Sequence, residues 1–99
     1  MVELNLRNNK FTGLPQCNAK LTSLKTLNLS ENNIDSIPNW IDSLTSLEFL
    51  NLWGNNLKEI PDSIESLKNL KTLYLNFNKV DNLSKSLRVL KERDLTIKI

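Results

Sequence analysis

LEFLNLWGNNL, residues 47–57, decides the fold, because the same pattern returns at a fixed interval along the chain. It reads LKTLNLSENNI at 24–34 and LKTLYLNFNKV at 70–80, so consecutive copies begin 23 residues apart (47 − 24 and 70 − 47). One interval earlier, MVELNLRNNKF at 1–11 has its leucines and asparagine in the same register. A constant period of this length predicts a repeat architecture, in which each unit stacks on the next and shares its core.

Each copy contains a short alternation of apolar and polar residues that predicts a β-strand. Leu50 and Leu52 lie on either side of Asn51, as inward residues do in a strand with one buried face. Strands that recur in the same direction pair in parallel, and each connection then crosses back over the core. The crossover segments offer a second apolar wall, formed by Ile37, Ile41 and Leu44 in one repeat and by Ile60, Ile64 and Leu67 in the next.

An asparagine and a proline recur at fixed places in the repeats. The prolines at 15, 38 and 61 fix their own φ angle and are predicted to begin the crossover segments. The asparagine follows the strand, where its amide can donate to and accept from backbone groups that the turn leaves unpaired. We therefore predict a structural role for Asn9, Asn32, Asn55 and Asn78.

The two ends of the chain depart from the regular pattern. Met1 already occupies a repeat position, so the first coil is either uncovered or part of a longer repeat array. SKSLRVLKER, residues 84–93, lacks the proline and predicts a short amphipathic helix, and DLTIKI, residues 94–99, predicts a fifth strand. The inward residues predicted here are Leu87, Leu90, Leu95 and Ile97, of which the last two follow Leu73 and Leu75 by 22 residues.

The pattern Leu-x-x-Leu-x-Leu-x-x-Asn-x-Leu, followed by Ile-Pro-x-x-Ile-x-x-Leu, resembles the leucine-rich repeat family over nearly the whole chain. The 23-residue length resembles intracellular repeats of the Ras-group type. This resemblance implies an α/β solenoid, a short curved right-handed superhelix with a parallel β-sheet on its concave face. We expect a single domain, 1–99, with repeats at about 1–23, 24–46, 47–69 and 70–91 and a partial terminal strand at 92–99.

The composition argues against catalysis. The chain has no histidine, which removes the usual general base at neutral pH. Cys17 is the only cysteine, so it has no disulfide partner within the chain. The lack of histidine also leaves it without the usual group that activates a thiol. Two glycines cannot build a glycine-rich phosphate loop. We predict that the protein is not an enzyme and that it binds no cofactor and no metal.

Charge and hydropathy narrow the class of partner. Thirteen Lys and Arg against eleven Asp and Glu leave a net charge of +2, spread without blocks, which argues against a nucleic-acid partner. No run approaches the roughly 18 apolar residues of a membrane span, which argues against a membrane partner. The single cysteine and the lack of paired-cysteine caps favour a cytoplasmic location.

The outward strand positions are the candidate binding residues. Trp53 is out of phase with Leu50 and Leu52 and is predicted to project from the concave face, with aromatic neighbours on its own strand and on the next. Phe77 lies just beyond a strand, and the pattern allows it either to face the rim or to pack inside the turn. Clustered aromatic side chains bury large areas on binding and dominate interface energetics. The predicted protein-binding residues are Phe49, Asn51, Trp53, Tyr74, Asn76, Arg7 and Asn28.

The resemblance implies a protein–protein interaction module that binds its partner through the concave sheet. It also implies a partner class, a small GTPase or another signalling protein. Two alternatives stay open: a self-associating structural or engineered minimal repeat unit, forming a homodimer through exposed terminal strands, and a recognition fragment of a larger signalling protein or enzyme. The aromatic residues themselves have an alternative role, since they favour strands and could simply shield the sheet.

Overall fold

A computed structural model describes residues 3–10, 22–37, 39–79, 89–93 and 95–98. The described strands form one parallel sheet in which sequence order and spatial order agree, β1-β2-β3-β4-β5. Each strand has three residues, because the chain turns out of the sheet soon after the alternating leucines. The strands are β1 Glu3–Asn5, β2 Thr26–Asn28, β3 Phe49–Asn51, β4 Thr72–Tyr74 and β5 Thr96–Lys98.

The first four strands keep the register that the sequence period predicts. Leu4 lies opposite Leu27, Leu27 opposite Leu50, and Leu50 opposite Leu73, each pair 23 residues apart. Equivalent side chains therefore stand in straight columns across the sheet. The predicted α/β solenoid with a parallel sheet is confirmed.

The register of β5 corrects the prediction. We expected Ile97 to lie opposite Leu75, with an offset of 22 residues, but it lies opposite Leu73, with an offset of 24 (97 − 73). Because inward and outward side chains alternate with a period of two, a slip of two residues leaves the same side chains inward. The apolar pattern therefore cannot distinguish the two registers. As a result, Lys98 lies beside Tyr74.

The core lies between the sheet and the crossover segments. Both predicted apolar walls are buried, and Leu50 and Ile64 have no exposed surface. Two crossovers contain short 3-10 helices, Asn39–Ser43 and Asp62–Ser66. Pro61 precedes the second of these with φ −70°, as predicted, whereas prolines 15 and 38 lie outside the described residues.

The amide of Asn55 joins two neighbouring coils. Asn55 is only 5% exposed, and its Nδ2 donates to the carbonyls of Leu29 and Leu52, each at 3.0 Å. Its Oδ1 accepts from the N–H of Ile34 at 3.1 Å. One side chain thus satisfies three backbone groups that the turns leave without backbone partners, and it ties the third coil to the second.

Asn78 and Asn32 bridge their coils in the same way. Asn78 donates to the carbonyl of Leu52 at 2.7 Å and accepts from the N–H of Leu57 at 2.9 Å. Asn32 donates to the carbonyl of Leu6 at 3.0 Å. The structural role predicted for the asparagine is confirmed at these two positions and at Asn55. We call these three residues the asparagine ladder.

The core is less completely covered at its two ends. Leu4 and Leu6, at and after β1, are only partly buried, as are Leu95 and Ile97, before and in β5. Asn9, the first asparagine of the series, is exposed, unlike the members of the asparagine ladder.

Only part of the predicted C-terminal helix falls within the described residues. Residues 89–91 are helical and Leu90 is fully buried, as expected, whereas 84–88, including Leu87, lie outside the described residues. Cys17 lies outside them as well. Within the described ranges, no helix is long and apolar enough to span a membrane, and no group of three or more His, Cys, Asp or Glu could hold a metal ion.

We predict that Asn55→Ala lowers the free energy of unfolding by about 1 to 3 kcal/mol. The substitution leaves the buried N–H of Ile34 unpaired, which costs roughly that much, whereas the carbonyls of Leu29 and Leu52 keep their bonds to Asn32 and Asn78. Chemical denaturation measures the change. Asn56→Ala is the matched control, because this neighbouring side chain is exposed and its removal should change stability by less than about 0.5 kcal/mol. Equal effects of the two substitutions would contradict the ladder.

Candidate binding face

The outward side chains of the sheet form two columns across the five strands, and we call this surface the concave face. Adjacent strands lie about 4.8 Å apart, so residues directly opposite each other on two strands are neighbours on this surface. The first column contains Glu3, Thr26, Phe49, Thr72 and Thr96, and the second contains Asn5, Asn28, Asn51, Tyr74 and Lys98.

Phe49 and Tyr74 form an aromatic pair at the centre of this face. Their ring centroids are 5.2 Å apart and their planes meet at 78°, an edge-to-face arrangement. Tyr74 lies directly opposite Asn51, so Phe49 reaches it diagonally across the strand pair. Both rings are partly buried. Such a pair contributes about 0.5 to 1.5 kcal/mol beyond the area it buries.

Trp53 and Phe77 form a second pair where β3 and β4 end. Their centroids are also 5.2 Å apart, with an interplanar angle of 73°. Trp53 is partly exposed, while Phe77 is 75% exposed and is the one large hydrophobic residue so exposed within the described part of the chain. Of the two orientations that the sequence allowed for Phe77, the outward one is therefore correct. We call Phe49, Tyr74, Trp53 and Phe77 the aromatic patch.

Phe77 has an unfavourable backbone conformation. Its φ of +59° lies in the left-handed region, as do the φ angles at the equivalent positions Asn8 (+58°), Glu31 (+55°) and Gly54 (+72°). Glycine and asparagine tolerate this conformation, whereas a bulky residue is strained by about 1 to 2 kcal/mol. The 23-residue alignment of Phe77 with a glycine was the sequence signal for its outward position.

Asn28 and Asn51 form a different kind of contact on the concave face. The Oδ1 of each accepts from the backbone N–H two residues later, at Ser30 and Trp53, both at 3.0 Å. Their carbonyl oxygens therefore cap the strand ends. Their amide NH2 groups have no hydrogen-bond partner among the described residues, so each can still donate to a ligand. Sequence reasoning did not identify this capping role.

Arg7 lies at the β1 side of the face. Its Nε donates to Oε2 of Glu31 at 2.8 Å, and the two side chains are 56% and 35% exposed. The hydrogen bond to the Glu31 carboxylate, and then its negative charge, raise the pKa of Arg7 above its ordinary value. Ser30, in the equivalent position of the next repeat, is only 3% exposed.

The seven predicted binding residues are thus not equally close to one another. Phe49, Asn51, Trp53 and Tyr74 lie together on β3 and β4 or directly after β3, and Phe77 joins them. Asn76 follows β4 and is partly buried beside this group, and its carbonyl accepts from the N–H of Gly54 at 2.9 Å. The remaining two, Asn28 and Arg7, lie on the β1–β2 side.

Comparison with known proteins agrees with this architecture. A family model described as leucine rich repeat matches residues 1–57, and a model for two copies of leucine rich repeats matches residues 45–91. Among solved structures, an LRR protein of Leptospira interrogans is similar, with a TM-score of 0.90 and 35% sequence identity. The match covers 100% of this chain and 25% of that protein, so this chain spans a quarter of its length. None of the curated proteins compared matches the chain.

Proposed function

The chain belongs to the leucine-rich repeat family, and from this premise we propose that it binds a partner protein at the β3–β4 part of its concave face. Leucine-rich repeats are in general protein–protein interaction modules and are typically not enzymes. The observation that carries the proposal is the aromatic patch, two edge-to-face pairs side by side on the outward surface. Residues of this kind are the usual energetic centres of protein interfaces.

The other repeats of the chain indicate that the sheet does not need these aromatic residues. Each member of the aromatic patch has a small or polar residue in the equivalent position of the preceding repeat, and those strands pair in the same register. A role in shielding the sheet would apply to every repeat and not only to two. The equivalent residues are Thr26 for Phe49, Asn51 for Tyr74, Ser30 for Trp53 and Gly54 for Phe77.

The cost of placing Phe77 on the surface supports the same proposal. Its left-handed backbone is unfavourable and its ring is mostly exposed, so the residue gains little in folding. Strained backbone conformations cluster at functional sites, and exposed apolar surface marks sites of interaction. A partner that covers the ring would bury apolar surface already packed against Trp53.

The finer parts of the proposal rest on the sequence. A small GTPase or another signalling protein is the partner class that the repeat type implies, and a cytoplasmic setting follows from the single cysteine. As a recognition segment of a larger protein, the chain would use the same face in the same way.

We predict that the double substitution Tyr74→Asn with Phe77→Gly weakens binding by about 2 kcal/mol or more without unfolding the protein. Both new residues already occur at the equivalent positions of the third repeat, Asn51 and Gly54. The lost ring pairs, about 0.5 to 1.5 kcal/mol each, are offset by a regained strand-end cap and by relief of backbone strain. The melting temperature should therefore change little.

Binding is measured with ligands selected from a displayed library of random 12-residue peptides, by calorimetry against both proteins. The double variant should lose about 2 kcal/mol or more of binding free energy. Leu73→Ala is the control for packing, since it should cost roughly 2 to 5 kcal/mol of stability. Equal affinity of all selected peptides for both proteins would exclude the aromatic patch as the site, and a large stability loss in the double variant would favour the sheet-shielding role.

A second candidate function, self-association, is favoured by the ends of the sheet. Among the described strands, β1 and β5 each pair on one side only, and the neighbouring Leu4, Leu6, Leu95 and Ile97 are partly exposed. Unpaired strand edges template pairing with another chain. Because the sheet is parallel, the contact that continues it joins β5 of one copy to β1 of the next, a head-to-tail arrangement.

Head-to-tail association predicts a specific mixing result. Wild-type protein should form larger species as its concentration rises, whereas Leu4→Asp and Ile97→Asp should each be monomeric alone. An equimolar mixture of these two variants should form a dimer, because each retains the end that the other lacks. Sedimentation velocity measures all three samples. A wild-type protein that stays monomeric at every accessible concentration would exclude this function, and a self-associating Ile97→Asp variant would exclude the head-to-tail geometry.

A further inference from the structure

We infer that the partner segment bound by the aromatic patch is acidic, and that it presents an apolar side chain to the rings and a carboxylate to the lysines beside them. This inference rests on the proposed function and adds the chemistry of the partner. It follows from the charged groups around the aromatic patch. Within the described residues, the carboxylates there have ion-pair partners and the lysines Lys98 and Lys79 do not.

The carboxylates near the aromatic patch are already paired. Glu31, whose Cγ lies 3.5 Å from where a Cβ of Gly54 would stand, receives the guanidinium of Arg7 at 2.8 Å. Glu48, directly before Phe49, lies 3.5 Å from the ammonium of Lys71. Neither carboxylate therefore offers an unpaired negative charge to a partner.

The lysines at the border of the aromatic patch differ in this respect. Lys98 lies directly opposite Tyr74 in the sheet and its side chain is exposed. Lys79, two residues after Phe77, is exposed as well. Neither ammonium has an ion-pair partner within the described part of the chain. A partner on the aromatic patch would thus meet the uncompensated positive charge of Lys98, and that of Lys79 lies two residues along the chain from Phe77.

Two polar groups that this surface offers, the ammonium of Lys98 and the amide NH2 of Asn51, can only donate hydrogen bonds. Lys98 is the one charged residue among the outward residues of the described strands β3 to β5. The Oδ1 of Asn51 is occupied by the N–H of Trp53, which leaves its NH2 group to face a ligand. A surface that presents ammonium and amide donors beside aromatic rings is complementary to a ligand with carboxylate acceptors and apolar groups.

A basic partner segment would place a cation, and not an apolar side chain, against the same rings. Aromatic faces attract cations, but here a cation would approach Lys98 and Lys79, and like charges at an interface disfavour association. The charge pattern therefore favours an acidic segment, and a basic one becomes an outcome of the test.

The test repeats the selection of displayed 12-residue peptides against wild-type protein and against Lys98→Glu. Peptides selected by the wild type should contain Asp or Glu close to an aromatic or aliphatic residue, and their affinity should fall as salt is raised. Lys98→Glu should weaken these peptides by about tenfold or more, and replacing their acidic residue by Lys should restore affinity for this variant. Lys68→Glu is the control, because it makes the same charge change at an exposed residue that follows the Asp62–Ser66 helix on the opposite wall.

The outcomes separate the inference from the proposed function. Neutral or basic peptides that bind wild type and fail to bind the Tyr74→Asn, Phe77→Gly variant would overturn the acidic assignment and leave the binding face in place. Equal weakening by Lys98→Glu and Lys68→Glu would overturn the assignment as well. A library that yields no peptide dependent on the aromatic patch would overturn both.

Discussion

The side-chain amide of Asn55 bonds to backbone groups of two coils at once, and the remaining structure depends on this kind of contact. An amide can reach both coils only if the turns follow the strands at the same place in every repeat. The constant spacing of 23 residues meets this condition. It also brings the leucines into one core and the outward residues into columns. The concave face is therefore a consequence of the asparagine ladder as well as of the sheet.

Periodic features of the fold could be predicted from the sequence because each was specified several times. The inward leucines, both apolar walls and the buried asparagines were identified from the pattern alone, and the structure has them where expected. The register of β5 was predicted wrongly, since a slip of two residues keeps Ile97 inward and changes only which strand residue it faces. The register of β5 depends on packing in the last repeat. The irregular sequence of that repeat does not recur elsewhere in the chain, so the period could not specify the register.

The candidate site was predictable only in part, for a related physical reason. Strand phase places Phe49 and Tyr74 outward, and the structure agrees. Phase says nothing about contacts between neighbouring repeats, so the pairing of Trp53 with Phe77 could not be read from either segment alone. The ring contacts on the face join residues 24 or 25 positions apart, whereas the pattern describes one repeat at a time.

The central claim is that asparagine side chains, and not the strands alone, hold the coils in register. Native-state amide hydrogen exchange tests it most directly at Ile34 and Leu57, whose N–H groups donate to Oδ1 of Asn55 and Asn78. The ladder predicts that both amides exchange as slowly as the N–H of Leu52, which bonds to the carbonyl of Tyr74 across the strand pair. Exchange of Ile34 and Leu57 at the rate of an unfolded chain, while Leu52 remains protected, would contradict it.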